Sequence, residues 1–210
     1  MSELVDLTWD FIGERYAPDI RREETALQSG LTAYTGVTYN MNHDGMSGTY
    51  IDFPGHIAQT DNGLYADNCP LDMLYRVPAS VIRLAKRSGE GAVNADELEQ
   101  AFGGKVTTPA LIINALADAM EPSDIDRRSV YLDNSAIQWI IDSRCKLLVS
   151  DIYESKALHG VFPKLFGAGV STVCMPVNLH KLPVGTVRLT TLFAKMPQVT
   201  QLPCRVVAEF

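Results

Sequence analysis

Residues 43–63, HDGMSGTYIDFPGHIAQTDNG, concentrate groups that can move protons or hold ions. His43, Asp44, Asp52 and His56 stand among glycine turns, and Tyr50 lies two residues before Asp52. Asp52 and His56 are four apart, but Pro54 between them argues against one continuous helix. On an extended segment alternate residues share a face, which puts Tyr50, Asp52 and Pro54 together. A carboxylate, a near-neutral base and a weak acid so placed suit general acid/base chemistry, with the Tyr50 phenol as hydrogen-bond donor to a developing oxyanion. The competing reading is structural: Asp and Gly in loops serve turns.

The elements that must position these residues follow from pattern. A short strand is expected over 3–9, an irregular charged segment over 13–30, and a strand over Thr32–Met41 where β-branched and aromatic residues alternate. Further strands are expected at Ala79–Leu84, Pro109–Asn114, Lys146–Val149, Gly169–Cys174, Val187–Phe193 and Cys204–Glu209. Asn94 with Glu97 three residues on is a capping box for ADELEQAF, and Asn134 is the expected cap of SAIQWIIDSR. A third helix is expected over 154–166, with Pro163 as a break. Strands mixed with about three helices give a mixed α/β fold, not a regular βαβ repeat.

Composition narrows function. The 210 residues suit one domain. Lys and Arg total 18 against 25 Asp and Glu, a net charge of −7 that disfavours nucleic acid as partner. The four cysteines, Cys69, Cys145, Cys174 and Cys204, form no CxxC pair, which suits reduced thiols and a cytoplasmic location. Glu3 and Asp6 stand where a signal peptide is basic, and no apolar run is long enough for a membrane span. There is no GxGxxG motif opening a helix and no P-loop. A small-molecule substrate is the expected partner.

Met46-Ser-Gly-Thr-Tyr50-Ile-Asp52-Phe-Pro54-Gly-His56 resembles the HxGTHxDxPxH motif of the cyclase family, which includes kynurenine formamidase and isatin hydrolase. Gly48, Thr49, Asp52, Pro54 and His56 match. VDLTWDF, CPLDML, KLLVSDIYES, LHGVFPKLFGAGVSTVCMPVNLHKLP and KMPQVTQLPCRVVA resemble the family's other segments, in the same order. The resemblance implies a swivelling β/β/α single domain over 1–210, a homodimer or homotetramer, and a divalent metal held by two histidines, an aspartate, a later histidine and a glutamate.

Three of those five positions depart from the pattern, with Met46, Tyr50 and Cys174 in place of two histidines and the glutamate. Asp52 remains, and the later histidine aligns with His159. A thioether is a poor ligand for zinc or manganese, and a phenol must lose a proton of pKa near 10. No metal is therefore the favoured expectation. The alternative is a zinc or manganese site rebuilt from Asp52, His56, His159 and a Cys174 thiolate, with His43 in reach. The favoured catalytic set is His56, Asp52, Tyr50 and His159, and the expected substrate-binding set is Trp9, Phe53, Met46 and Cys174. Asp151 and Glu154 read as structural, and His180 as a surface turn residue. The family's Thr-Gly-Trp after its central strand is replaced by IINALAD from Ile112.

The chemistry then follows from what is missing. Without a metal to make hydroxide near neutral pH, ring closure, dehydration or a related lyase reaction on a small carbonyl compound fits better than amide hydrolysis. Metal-dependent amide hydrolysis and a non-catalytic small-molecule binder are the two alternatives.

Overall fold

The computed structural model describes residues 2–10, 18–84, 86, 91–118 and 128–210. Residues 13–17 of the expected irregular segment lie outside these.

A nine-stranded mixed sheet organises the chain. Its strands are β1 (Leu4–Asp6), β4 (Tyr50–Asp52), β5 (Val77–Arg83), β7 (Ala110–Asn114), β9 (Leu147–Ser150), β10 (Ser171–Cys174), β11 (Gly185–Leu192), β12 (Gln201–Pro203) and β13 (Arg205–Glu209). Their spatial order is β1-β13-β11-β5-β7-β9-β10-β4-β12. The four central strands β5, β7, β9 and β10 run parallel, and the flanking strands pair antiparallel. The central strands ALIIN, LLVS and STVC are buried at every position. Apolar matter covers both of their faces, so they read as continuous runs instead of alternating ones.

One face of the sheet curls over a core that includes Ile51, Phe53, Ile112, Val149, Val173 and Leu202. The other face carries Leu111, Ile113 and Leu148 against helices α1 (Ala95–Phe102), α2 (Asn134–Asp142) and α3 (Val161–Gly167). Strands β6 (Gly91–Val93) and β8 (Val130–Leu132) form a small parallel pair.

The expected capping box of α1 is present: Glu97 N donates to Asn94 Oδ1 at 2.9 Å and Asn94 N to Glu97 Oε2 at 2.9 Å. The expected cap of α2 shifts by one residue. Asp133, extended at φ −80°, accepts from Ala136 N at 2.9 Å, while Asn134 is already helical and its side chain accepts from Lys164 Nζ. The expected helix over 154–166 contracts to α3, and Pro163 sits in its first turn, where a missing N–H costs no helical bond.

Residues 18–30 are not irregular. Asp19–Ser29 is strand β2, paired over its length with β3 (Thr32–Asn42) through a two-residue turn in which Gly30 has φ +60°. Both faces of β2 are exposed, so it carries no alternation for a sequence pattern to reveal. Strands β4, β6, β8 and β12 are three residues each, too short for a periodic signal.

Candidate functional site

The segment after Asn42 is built to hold Tyr50 and Asp52 rigidly. Thr49 is buried and donates Oγ1–H to Met175 O at 2.7 Å while accepting from Trp9 N at 2.8 Å. Its carbonyl accepts from Cys204 N. Gly48 has φ +62°, and a Cβ there would meet Trp9 O at 2.9 Å. Gly48-Thr49 therefore ties three distant segments together at the start of β4. After β4, Pro54 opens a short 3-10 turn that ends on His56, and Thr60 Oγ1 closes it by donating to Pro54 O at 2.7 Å.

Register brings the polar groups to one face. Asp52 lies opposite Thr172 of β10 and Gln201 of β12, and Tyr50 lies opposite Cys174 and Pro203. Gln201 Nε2 donates to Asp52 Oδ1 at 2.7 Å, and the Cys174 thiol points at Asp52 Oδ2 at 3.7 Å. The same amide lies 3.4 Å from His56 Nε2. His56 is exposed, with its ring edge toward Phe166 of α3. Burial lifts the Asp52 carboxyl from 3.8 to about 6, against the opposing pull of His56 and the Gln201 and Cys174 hydrogen bonds. Burial, and then the Asp52 charge, push the Cys174 thiol well above its ordinary range, with a hydrogen bond from Tyr50 working the other way.

A cavity of about 340 Å³ opens beside this cluster at the carboxyl ends of β7, β9 and β10. Tyr50, Cys174, Asn114, Asp151, Arg128 and His180 are among its lining residues. Asp151 accepts from Ala115 N at 2.9 Å, Leu116 N at 3.1 Å and Asn114 Nδ2 at 2.7 Å, and its burial raises the carboxyl to about 6. It holds the chain leaving β7 and also forms part of the wall.

The structure thus gathers Tyr50, Asp52, His56 and Cys174, and adds Gln201, which the sequence did not single out, and His180, which it read as a surface turn residue. Gln201 is 149 residues from Asp52, and only β12–β4 pairing reveals it. His180 follows Asn178, whose φ is +61°, in a 3-10 turn beyond β10. Its turn was legible; its place on the cavity wall was not.

The other expected residues lie elsewhere. Phe53 is one residue out of phase with Asp52, so it is fully buried in the core, edge-on to Phe193 at 5.7 Å. Trp9 and Met46 are half-buried and outside the cavity lining. His159 is fixed by its own partners: Nδ1 lies 2.9 Å from Glu154 Oε1 and 3.0 Å from Ser155 Oγ, and Nε2 lies 2.7 Å from Leu132 O. Glu154 in turn accepts from the backbone N–H groups of His159, Gly160 and Val161 and caps α3.

These side chains do not fit a zinc or manganese ion. Both Asp52 oxygens already face hydrogen-bond donors, Cys174 is held as a thiol, and both His159 nitrogens face oxygen partners. Among the described residues, no three His, Cys, Asp or Glu side chains gather as a metal-holding group. No helix among them is long and apolar enough to cross a membrane.

Comparison with known proteins adds family and fold. Residues 5–155, more than two thirds of the chain, match the family described as "Putative cyclase". Isatin hydrolase A from Labrenzia aggregata, solved with benzyl benzoate, superimposes with a TM-score of 0.77 at 19% identity, covering 99% of this chain and 93% of that one. Isatin hydrolase A from Ralstonia solanacearum gives 0.77 at 18% identity, with coverage of 99% and 92%. A protein described as a "predicted metal-dependent hydrolase" from Bacillus stearothermophilus gives 0.68 at 16% identity, with coverage of 100% and 98%. No curated protein matches the chain. At these identities the structural likeness carries the mixed α/β fold.

Proposed function

This enzyme belongs to the cyclase family, and from that premise we propose that it acts on a small carbonyl-containing metabolite by acid/base chemistry that needs no metal, as in ring closure, dehydration or a related lyase reaction. One observation carries the reading. Where a metal-binding cyclase would set charged ligands, this chain sets a line of hydrogen-bonding polar groups from the cavity to solvent. It runs from Tyr50 through Cys174 to Asp52, and by the Gln201 amide to exposed His56.

Each residue has a part in it. Tyr50 stands at the cavity and donates a hydrogen bond to the substrate oxygen as negative charge develops there. Asp52, with its carboxyl near 6, gains or loses a proton close to neutral pH, the condition for an efficient acid/base group. Exposed His56 lies beside the same Gln201 amide as a second acid/base group, and its charge favours the ionised Asp52 carboxylate through space. Gln201 keeps the carboxyl and the imidazole in one arrangement. A cavity of this size suits a small metabolite. The four cysteines are free thiols, which supports a reducing, cytoplasmic setting.

The likeness to isatin hydrolases favours a second reading, amide hydrolysis dependent on zinc or manganese. One experiment separates the two. The purified enzyme is assayed against cyclic amides, formamides and open-chain hydroxy-carbonyl acids, before and after exhaustive chelation. Turnover unchanged by chelator, and lowered about 10²–10⁴-fold by Asp52→Asn, supports the proposal. Turnover abolished by chelator and restored by zinc or manganese overturns it in favour of the second reading.

A further inference from the structure

A group that moves a proton must come within hydrogen-bond reach of it. Asp52 and His56 are not among the described residues that line the cavity, and Asp52 meets it by way of the Cys174 thiol, 3.7 Å away. Most ionisable groups on the wall itself are committed. Burial and the Asp52 charge keep the Cys174 thiol protonated. Tyr153 Oη faces Val173 O at 2.8 Å and Leu148 O at 3.1 Å. Asp151 and Glu154 accept from backbone N–H groups. A guanidinium keeps its proton, which sets Arg128 aside, and Asp118 is exposed, where water competes for its carboxyl. Tyr50 is the hydrogen-bond donor to the substrate oxygen. The His180 imidazole remains, a side-chain type that ordinarily exchanges a proton near neutral pH.

The turn that carries His180 is fixed through its backbone and leaves the ring free. Leu179 and Leu182 are buried in the core. Arg83 Nη2 donates to His180 O at 2.7 Å and also to Leu182 O. Asn178 Nδ2 ties the start of the turn to Asp6 O at 2.9 Å. The half-buried His180 ring has no hydrogen-bond or ion-pair partner among the described residues, whereas His43, His56 and His159 each face a polar group. We propose that His180 is the catalytic base of this cavity, for a substrate whose hydroxyl stands on the second carbon from its carbonyl, a role that rests on the metal-free reading of the site. The unprotonated ring nitrogen takes a proton from the carbon between them: a C–H bond breaks, an N–H bond forms, and the electron pair moves onto the carbonyl oxygen beside the Tyr50 phenol. The pair then returns to form the C=C bond as the C–O bond breaks. The hydroxyl leaves as water with the proton that His180 carries, and the imidazole is neutral again.

The test uses the full chain and two small carbonyl probes. Diacetone alcohol, which has its hydroxyl in the required place, is followed by the ultraviolet absorbance of the conjugated ketone that dehydration yields. The parent is expected to convert it, and His180→Gln to do so about 10²–10⁴-fold more slowly. The variant keeps the urea midpoint of the parent, because Leu179, Leu182 and Arg83 hold the turn without the ring. Bromoacetone then labels the parent: a ring nitrogen displaces bromide, and peptide mass mapping finds which histidine carries the new group. His180 is expected to be labelled ahead of exposed His43 and His56, because the cavity gathers the reagent beside it. No conversion by the parent, or conversion by His180→Gln within a few-fold of it, overturns the proposal, as does labelling of His43 or His56 ahead of His180. The labelling needs no variant, so it decides the case where His180→Gln fails to fold. Chelation reads the metal and these two probes read the base, so the metal-free reading and the role of His180 fail separately.

Discussion

The side-chain amide of Gln201 donates to Asp52 Oδ1 at 2.7 Å across 149 residues of sequence, and it lies 3.4 Å from His56 Nε2. This amide helps hold the Asp52 carboxyl down toward neutrality against the larger effect of burial. Replacing it with an apolar group of similar size leaves the burial and removes the counterweight.

Gln201→Leu therefore raises the Asp52 pKa. A hydrogen bond to a charged group is worth about 1.5–3 kcal/mol, so the acid limb of the turnover–pH profile moves up by about one pH unit or more. The profile, measured from pH 5 to 9 with the wild type alongside, checks this. An unmoved limb would show that Asp52 does not titrate in turnover.

Asp52→Asn separates activity from stability. A carboxyl at 3.8 unfolded and about 6 folded holds more protons in the folded state between those values. Its contribution to stability is complete below about pH 3.8 and is lost as pH rises through about 6. At pH 7.5 the wild type bears that loss and the asparagine variant does not. The variant is expected to be more stable there by roughly 1–3 kcal/mol, with the difference vanishing at pH 3.5, while turnover falls about 10²–10⁴-fold. Urea unfolding at the two pH values gives the first comparison and steady-state kinetics the second.

His159 is expected to act on the fold. It joins Glu154 to Leu132 O, and Glu154 caps α3. His159→Ala should cost about 2 kcal/mol of stability, since it strips a partner from a buried carboxylate. Turnover per folded molecule should stay within a few-fold of wild type. A drop of a hundred-fold with unchanged unfolding would return His159 to the catalytic set.

The two candidate caps of α2 are distinguished by single substitutions. Asp133→Ala removes the oxygen that accepts from Ala136 N and should cost about 1 kcal/mol. Asn134→Ala removes only an exposed contact with Lys164 and should change stability by less than about 0.5 kcal/mol. Urea midpoints of the two variants decide it.

The chain by itself determined what depends on neighbours in sequence. The central strands announced themselves as unbroken apolar runs, and Asn94 and Glu97 as a cap, because these signals come from local burial and local hydrogen bonds. The Asp52–Pro54–His56 spacing marked the candidate site for the same reason. Pairing between strands decided the rest. It placed Cys174 and Gln201 on Asp52, and it fixed the side of β4 from which Asp52 looks away from Phe53. A one-residue step in register exchanges the two faces of a strand, and no local pattern in three residues such as YID or QLP can fix that step. β2 was illegible for a related reason: with both faces exposed it has no alternation, and only its hydrogen bonds to β3 make it a strand.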